Sequence, residues 1–293
     1  MNKIESDKSK PSNNVPKIPK SILYTGKILQ FFSITLATKF AVKLFRTPIR
    51  YKTPEREKMM AKSAQKELIK IPELNKEVMV YSYGYSKRKV LLVHGWSGRG
   101  TQLYKIADKL LENGFMTISF DAPAHGKSSG KTTMMTEFIA TSKYLEEKYG
   151  PFEIAIGHSL GGMSVLNSVK RFLKVKKAII IGSGDIITDI MIGFISKLEL
   201  SRKLVDKMKY FFQKKFGEDI DNYSGSVAAL QVKIPTLVIH DTADKEVPVE
   251  CAYNIRKNLD FGEILITNGL GHTRILKDNF VIERIIDFIH KTN

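Results

Sequence analysis

Short, continuously apolar segments recur along the chain from residue 78 onwards, and stretches of helical length separate them. Strands that are apolar on both faces are typical of a parallel sheet that helices cover on both sides. The pattern therefore predicts an α/β fold with a mostly parallel central sheet. The predicted strands lie at residues 78–81, 89–93, 116–120, 152–156, 177–181, 236–239 and 263–266.

The alternation of strands and helices is interrupted once. Between Ser183 and Val232 there is no apolar run of the strand type, and the segment MIGFISKLELSRKLVDKMKYFFQKKF has the pattern of helices. We predict that residues 185–232 form a helical insertion over one end of the sheet, within a main domain that spans residues 76–293.

The chain ahead of the main domain has a different composition. Residues 1–20 are polar, basic and interrupted by proline, which is typical of a disordered leader. Residues 21–75 are predicted to be a helical extension, made of an apolar segment at 22–45 and a polar helical stretch at 54–70.

The apolar segment at 22–45 is interrupted by Lys27, Lys39 and Lys43, and its longest uncharged run, residues 28–38, has eleven residues. Such a run is too short for a helix that crosses a bilayer. Two interpretations remain. The segment lies on a membrane surface as a basic amphipathic helix, or it packs against the body of its own protein, which we favour.

Composition narrows the classes of protein. The 293 residues are 43% hydrophobic, enough for one large domain with an insertion. The net charge is +17. Residues 1–50 contain ten Lys and Arg but only two acids, Glu5 and Asp7, and so contribute about half of this charge. The remaining positive charge comes mostly from lysines scattered along helical stretches. We therefore expect no nucleic-acid partner.

Cysteine content and the N-terminal pattern point to a cellular compartment. Cys251 is the single cysteine, so no internal disulfide can form. No early segment combines a basic start, an apolar core and a small-residue cleavage site. We expect a cytoplasmic protein, either free or peripheral at the inner membrane surface.

Residues that can carry chemistry follow the predicted strands. In a parallel sheet the loops at the carboxyl ends of the strands meet along one edge, where ligands bind. Ser159 stands there between Gly157 and Gly161, at a sharp strand-to-helix turn that can expose a nucleophilic hydroxyl. Asp244 and His272 follow later strands, which gives the chain order serine, acid, histidine.

Other residues could take the acid position. Asp185 follows the strand at 177–181, and Asp241 lies in the same loop as Asp244. We favour Asp244, because it is followed by Lys-Glu-Val-Pro, but the residues alone leave the three carboxylates open.

From about residue 76 to its end, the sequence resembles the α/β-hydrolase superfamily, in particular bacterial members of unassigned substrate. The resemblance rests on LVHGW, DAPAHG, GHSLGG, a D-x-x-VP loop and GLGH. The resemblance also extends upstream to LFRTP. Ala124 departs from the family pattern, which has glycine there. The resemblance implies an α/β-hydrolase fold in which the insertion serves as a lid.

The resemblance also implies a serine hydrolase mechanism. Ser159 would be the nucleophile, His272 the general base and then acid, and Asp244 the carboxylate that orients His272. The backbone N–H groups of Trp96 and Leu160 would form the oxyanion hole. Such a site cleaves an ester or related acyl bond through an acyl-enzyme intermediate, as esterases and lipases do.

Several alternatives stay open for the function. Thioesterases, aminopeptidases and acyltransferases use the same constellation, and a non-catalytic, membrane-associated binding protein is the alternative outside enzymes. The insertion would present an inward face that either shapes an acyl pocket or holds the insertion to the body. The candidates for this face are Ile195, Leu198, Phe211 and Phe212.

The remaining histidines and the single cysteine give no metal-binding pattern. We predict that His94, His125 and His158 are structural and brace tight loops. No two of the six histidines are four residues apart, so we expect no metal site and no cofactor. The expected partner is a small acyl substrate, and oligomeric state stays open.

Overall fold

The computed structural model describes residues 18–291, and a central sheet organises this part of the chain. Its strands are β1 (Gln65–Ile71), β2 (Lys76–Tyr83), β3 (Lys89–Val93), β4 (Met116–Phe120), β5 (Ile154–His158), β6 (Lys177–Ile181), β7 (Thr236–Asp241) and β8 (Gly262–Thr267). They are ordered β1-β2-β4-β3-β5-β6-β7-β8. The β1–β2 and β2–β4 pairs are antiparallel and the other pairs are parallel, which confirms the predicted fold class.

Helices cover both faces of the sheet. They are α1 (Lys20–Phe32), α2 (Ile34–Phe45), α3 (Lys58–Ser63), α4 (Tyr104–Glu112), α5 (Met135–Tyr149), α6 (Leu160–Arg171), α7 (Ile187–Lys197), α8 (Lys203–Phe216), α9 (Gly225–Ala229), α10 (Glu250–Lys257), α11 (Gly271–Arg274) and α12 (Asn279–His290). Leu92 of β3 packs on the side of α4 and α12, whereas its neighbour Leu91 packs on the side of α5 and α6. This two-residue alternation explains why the strand is apolar throughout.

The predicted helical stretch at 54–70 is wrong in its second half. Residues 65–71 form β1, an edge strand in which only Ile69 and Ile71 are buried and the exposed Lys70 lies between them. β1 pairs with β2 so that Ile69 lies opposite Val78. The sheet therefore begins ahead of the predicted boundary at residue 76. The period of two in Leu-Ile-Lys-Ile, rather than its lysine content, indicates the strand.

The apolar segment at 22–45 is two helices rather than one. Ser33 has an extended backbone between α1 and α2, and its hydroxyl accepts a hydrogen bond from the N–H of Leu36. This serine caps α2 and ends the continuity of α1. No helix in the described range 18–291 is both long and apolar enough to cross a membrane. Residues 1–17 of the predicted leader lie outside the residues that the structure describes.

The insertion is helical, as predicted, and within residues 185–232 the structure shows α7, α8 and α9 without a strand. Its apolar side packs against Ala37, Ala41 and Val42 of α2. Of the four candidates for its inward face, Ile195, Leu198 and Phe212 are buried in this cluster and Phe211 is exposed. The buried residues thus hold the insertion to the N-terminal helices, and these helices and the insertion form one layer.

Candidate active site

Ser159 occupies the sharp turn between β5 and α6. Its backbone has φ 54° and ψ −121°, a region that residues with a side chain rarely adopt. The N–H of Ser159 donates to the carbonyl of Ile181 at the end of β6, at 2.9 Å, which fixes the turn to the neighbouring strand. The strained turn places the serine at the carboxyl edge of the sheet, as a nucleophile elbow requires.

The two flanking glycines are required by close backbone approach. A Cβ atom on Gly157 would lie 2.3 Å from the carbonyl oxygen of Gly161. A Cβ atom on Gly161 would lie 2.2 Å from the carbonyl oxygen of Val93 at the end of β3. A larger residue at Gly157 would push the first turn of α6 away from β5, and one at Gly161 would push it away from β3.

Asp244 and His272 form a hydrogen-bonded pair. His272 Nδ1 lies 2.7 Å from Asp244 Oδ2, and the two side chains are 8% and 1% exposed. The other carboxylate oxygen of Asp244 accepts the backbone N–H groups of Glu246 and Val247 at 2.8 and 2.9 Å. With Nδ1–H bonded to the carboxylate, Nε2 of a neutral His272 is left as the proton acceptor.

The environment keeps Asp244 ionised. Burial raises the pKa of Asp244, but hydrogen bonds from His240 and His272 and from the N–H of Val247 outweigh it, and the net pKa lies well below the ordinary value. His240 Nε2 lies 3.5 Å from Asp244 Oδ2 and 3.0 Å from the carbonyl oxygen of Val247. His240 and His272 thus both approach the same carboxylate oxygen of Asp244.

His272 is held next to the serine turn. His158 Nε2 lies 2.9 Å from the carbonyl oxygen of His272, and the two imidazole rings are 4.6 Å apart between centroids. Among the described residues no hydrogen bond joins Ser159 Oγ to His272 Nε2. In unliganded active sites this contact is commonly long and tightens when substrate binds.

The other two candidate acids have different partners. Asp241 accepts the N–H groups of Ala243, Leu270 and Gly271 and the hydroxyl of Thr267, at 2.7–3.0 Å. These bonds outweigh the effect of burial and lower the pKa of Asp241. Asp185 accepts the N–H of Ser226 at 2.7 Å and so ties α9 to the end of β6. The structure thus pairs Asp244 with His272, and Asp241 fixes the loop that carries this histidine.

The loop after β3 passes directly beside Ser159. A Cβ atom on Gly95 would lie 2.9 Å from Ser159 Cβ. Trp96 is the next residue of the loop, so its backbone lies close to the serine. Leu160 is the first residue of α6. In the part of the chain that the structure describes, neither the N–H of Trp96 nor that of Leu160 has a protein acceptor. Two unpaired N–H groups beside a nucleophile can bind an oxyanion.

Three buried histidines brace the loops around Ser159. His94 Nε2 accepts the N–H of Ala122 at 2.9 Å, and His125 Nε2 accepts the N–H of Ser97 at 3.0 Å. Burial lowers the pKa of His125 to about 4 and that of His158 to about 3, and lowers the pKa of His94 well below its ordinary value. All three are neutral at pH 7 and act as fixed donors and acceptors, which supports the structural roles predicted for them.

Comparison with known proteins identifies the fold. A model of the alpha/beta hydrolase fold matches residues 89–196, a range that contains Ser159 but ends ahead of Asp244 and His272. A putative lipase from Acinetobacter baumannii is 18% identical, with a TM-score of 0.60 over 80% of this chain and 93% of the lipase. The chain has the α/β-hydrolase fold.

Two further structures show the same α/β-hydrolase architecture. An esterase from Exiguobacterium antarcticum is 17% identical, with a TM-score of 0.61 over 78% of this chain and 100% of the esterase. A membrane phospholipase A, described as a bacterial virulence factor, is 15% identical, with a TM-score of 0.62 over 92% of this chain and 96% of the phospholipase. No curated protein matches this sequence.

One departure from the α/β-hydrolase pattern adds backbone strain to a turn and does not replace a candidate catalytic residue. Ala124 replaces the usual glycine and has φ 67°, so the turn keeps a glycine-type conformation at a cost of about 1 kcal/mol. Arg50 holds this turn, because its guanidinium donates to the carbonyl oxygens of Ala124, Ser128 and Gly130 at 2.6–3.1 Å. Sequence reasoning missed Arg50, since no local motif marks a contact across more than seventy residues.

The described residues 18–291 contain no group of three or more His, Cys, Asp and Glu that could hold a metal ion. The protein groups at the site are therefore an alcohol, an imidazole, a carboxylate and backbone N–H groups. These groups suffice for acyl transfer by nucleophilic catalysis.

Proposed function

We propose that the protein is a serine hydrolase that cleaves an ester or related acyl bond through an acyl-enzyme intermediate. The observation that carries this proposal is the buried Asp244–His272 hydrogen bond of 2.7 Å beside the strained turn at Ser159. A histidine oriented by a buried carboxylate next to a partly exposed serine is the arrangement that activates a hydroxyl for attack on a carbonyl.

Each group has one role in the proposed reaction. Ser159 Oγ attacks the carbonyl carbon while its proton passes to His272 Nε2, and Asp244 stabilises the resulting imidazolium. The N–H groups of Trp96 and Leu160 bind the oxyanion of the tetrahedral intermediate. His272 then donates its proton to the leaving alcohol, and a water molecule activated by the same imidazole releases the acid from Ser159.

Ester substrates are favoured by the structural relatives. The three structures compared above are a putative lipase, an esterase and a phospholipase, and all three names denote enzymes that cleave esters. A fold shared at this level of identity does not choose a substrate by itself. A panel of p-nitrophenyl esters of increasing chain length, with matched thioesters and anilides, therefore defines the acyl group and the bond.

The replacement Ser159→Ala tests the proposal directly. We expect turnover of p-nitrophenyl esters to fall by about 10³-fold or more, because the nucleophile is lost while the fold is kept. Ser63→Ala is the matched control, since Ser63 is exposed at the end of α3 and should leave turnover unchanged. Wild-type turnover in Ser159→Ala would remove Ser159 from its proposed role.

A further inference from the structure

Helix α1 is apolar on two sides, and its inner side is fixed to the rest of the protein. Gly26 is buried, and a Cβ atom there would lie 3.3 Å from the side chain of Leu200. The side chain of Gln30 accepts the N–H of Ser201 at 2.7 Å. Because these contacts fix the rotation of α1, the opposite side of the helix is presented outwards in a defined way.

The outer side of α1 carries large apolar side chains that nothing in the described structure covers. We call Tyr24, Ile28, Phe31 and Phe32 the α1 patch; they are 62%, 57%, 82% and 76% exposed. Their spacing of four, three and one residues places them within about 100° of arc on one helix face. The rings of Phe31 and Phe32 contact each other edge to face at 5.3 Å. A contiguous exposed apolar surface of this kind marks an interaction site.

Basic residues predominate in the sequence that carries the α1 patch. Residues 20–54 contain no Asp or Glu, and Lys20 and Lys27 flank the patch on α1 itself. Lys27 pairs with Glu199, which leaves Lys20 as the exposed cation on α1 for which the structure shows no carboxylate partner among residues 18–291. On α2, the half-exposed Leu36 is followed by the exposed Lys39 and Lys43.

The segment that holds α1 adds further cations. Arg202 and Lys203 are exposed directly after Ser201, whose N–H binds Gln30. Aromatic side chains at the centre with lysine and arginine around them are the composition of helices that lie in the interface of an anionic bilayer.

We propose that the α1 patch docks the protein on the surface of an anionic phospholipid bilayer. Phe31 and Phe32 enter the region below the headgroups, and Lys20, Lys39 and Lys43 contact lipid phosphates. The net positive charge of residues 20–54 favours this occupant over a second copy of the chain, because an anionic bilayer attracts these cations whereas a second copy carries the same charge and repels them. The proposal concerns binding alone and is independent of the reaction proposed for Ser159.

Vesicle co-sedimentation of the full-length protein tests the proposal. We expect the wild type to sediment with vesicles of equal parts phosphatidylcholine and phosphatidylglycerol. Phe31→Ser combined with Phe32→Ser should weaken this binding about 100-fold, through the loss of two inserted aromatic side chains. The matched control is Phe261→Ser combined with Phe280→Ser, which removes two phenylalanines that are 61% and 55% exposed outside the patch. This control should bind as the wild type does.

A second variant separates charge from apolar insertion. Lys39→Gln combined with Lys43→Gln should weaken binding to the anionic vesicles about tenfold and leave the thermal unfolding midpoint unchanged. A wild type that stays in solution with anionic vesicles would overturn the proposal. So would equal binding by the wild type and the Phe31, Phe32 variant. A wild-type dimer that this variant converts to a monomer, without vesicle binding, would assign the patch to a second copy instead.

Discussion

Two regions of the molecule are held in place by different forces. The loops at the carboxyl edge of the sheet are fixed by hydrogen bonds from buried polar groups. Asp121, for example, accepts the N–H groups of Gly100 and Lys127 and the hydroxyl of Tyr81. The layer made of α1, α2 and the insertion is instead joined mainly by apolar contacts around Phe212.

This difference matches what each region must do. Hydrogen bonds are directional, so they fix loop atoms in the geometry that the proposed proton transfer needs. Apolar packing is non-directional and depends on the area buried, so it fixes a layer without fixing single atoms. We therefore expect substitutions in the loops to change turnover more than stability, and substitutions in the layer to do the reverse.

The largest expected effect comes from Asp244→Asn in the loop region. An amide at this position cannot hold His272 in the tautomer that leaves Nε2 free, so kcat should fall about 10⁴-fold. Asp206→Asn on the exposed side of α8 is the control and should leave kcat unchanged. The measurement is kcat for a p-nitrophenyl ester, and a kcat for Asp244→Asn within a few-fold of the wild type would contradict the loop assignment.

The strongest test of the layer is Phe212→Ala. Phe212 is fully buried, with ring centroids 6.1 Å from Phe45 and 6.0 Å from Phe216. Its loss should lower the free energy of unfolding by about 3–5 kcal/mol in urea titrations. Phe211→Ala, one residue earlier and 39% exposed, is the matched control and should cost less than about 1 kcal/mol. Equal losses for both variants would contradict apolar packing as the force that joins the layer.

The loop histidines predict an acid-dependent loss of stability. In the folded protein His94, His125 and His158 have pKa values far below the unfolded value of about 6.5, so the unfolded chain binds more protons below that pH. Their contribution is complete above about pH 6.5 and is lost as the pH falls towards the folded pKa values. Between pH 7.5 and 5.5 the free energy of unfolding should fall by about 1.4 kcal/mol for each imidazole, or about 4 kcal/mol in total.

Substitution of one histidine tests this source of pH dependence. His125→Gln should reduce the difference between pH 7.5 and pH 5.5 by about a third. His290→Gln, at an exposed position at the end of α12, should leave the difference as in the wild type. If both variants keep the full difference, the buried imidazoles of the loops are not its source.

The smaller of the two effects on kcat is expected for Asp241→Asn. This carboxylate accepts the N–H groups of Leu270 and Gly271, so its loss should displace the His272 loop without removing a reacting group. Misplacement of this kind should lower kcat about 100-fold, less than Asp244→Asn. A loss for Asp241→Asn as large as that for Asp244→Asn would show that the two carboxylates do not have separate roles.

The sequence predicted the buried strands well and the edge strand poorly, for one physical reason. Strands β3, β4 and β6 lie within the sheet, so nearly all of their side chains are buried and their sequences are mostly apolar, and their predicted bounds are the observed ones. The edge strand β1 buries only Ile69 and Ile71, and most of its other residues are polar or charged. Its polar composition therefore suggested a surface helix, although the spacing of two between its buried residues indicates a strand.

The same contrast applies to the candidate site. The turn at Ser159 was predictable, because backbone geometry demands glycine at fixed local spacing. For the acid, the sequence favoured Asp244 but left Asp185 and Asp241 open, because the choice depends on which carboxylate reaches an imidazole carried by another loop. The contacts of Arg50 could not be predicted from the sequence either, since its hydrogen-bond acceptors are backbone carbonyl oxygens, which every residue has.

Covalent labelling with a fluorophosphonate tests the central claim, that the Asp244–His272 pair activates Ser159. We expect a single adduct on the wild type, located by peptide mass spectrometry at Ser159, and a loss of labelling in His272→Ala. An unlabelled wild type, or an adduct at another serine, would contradict it.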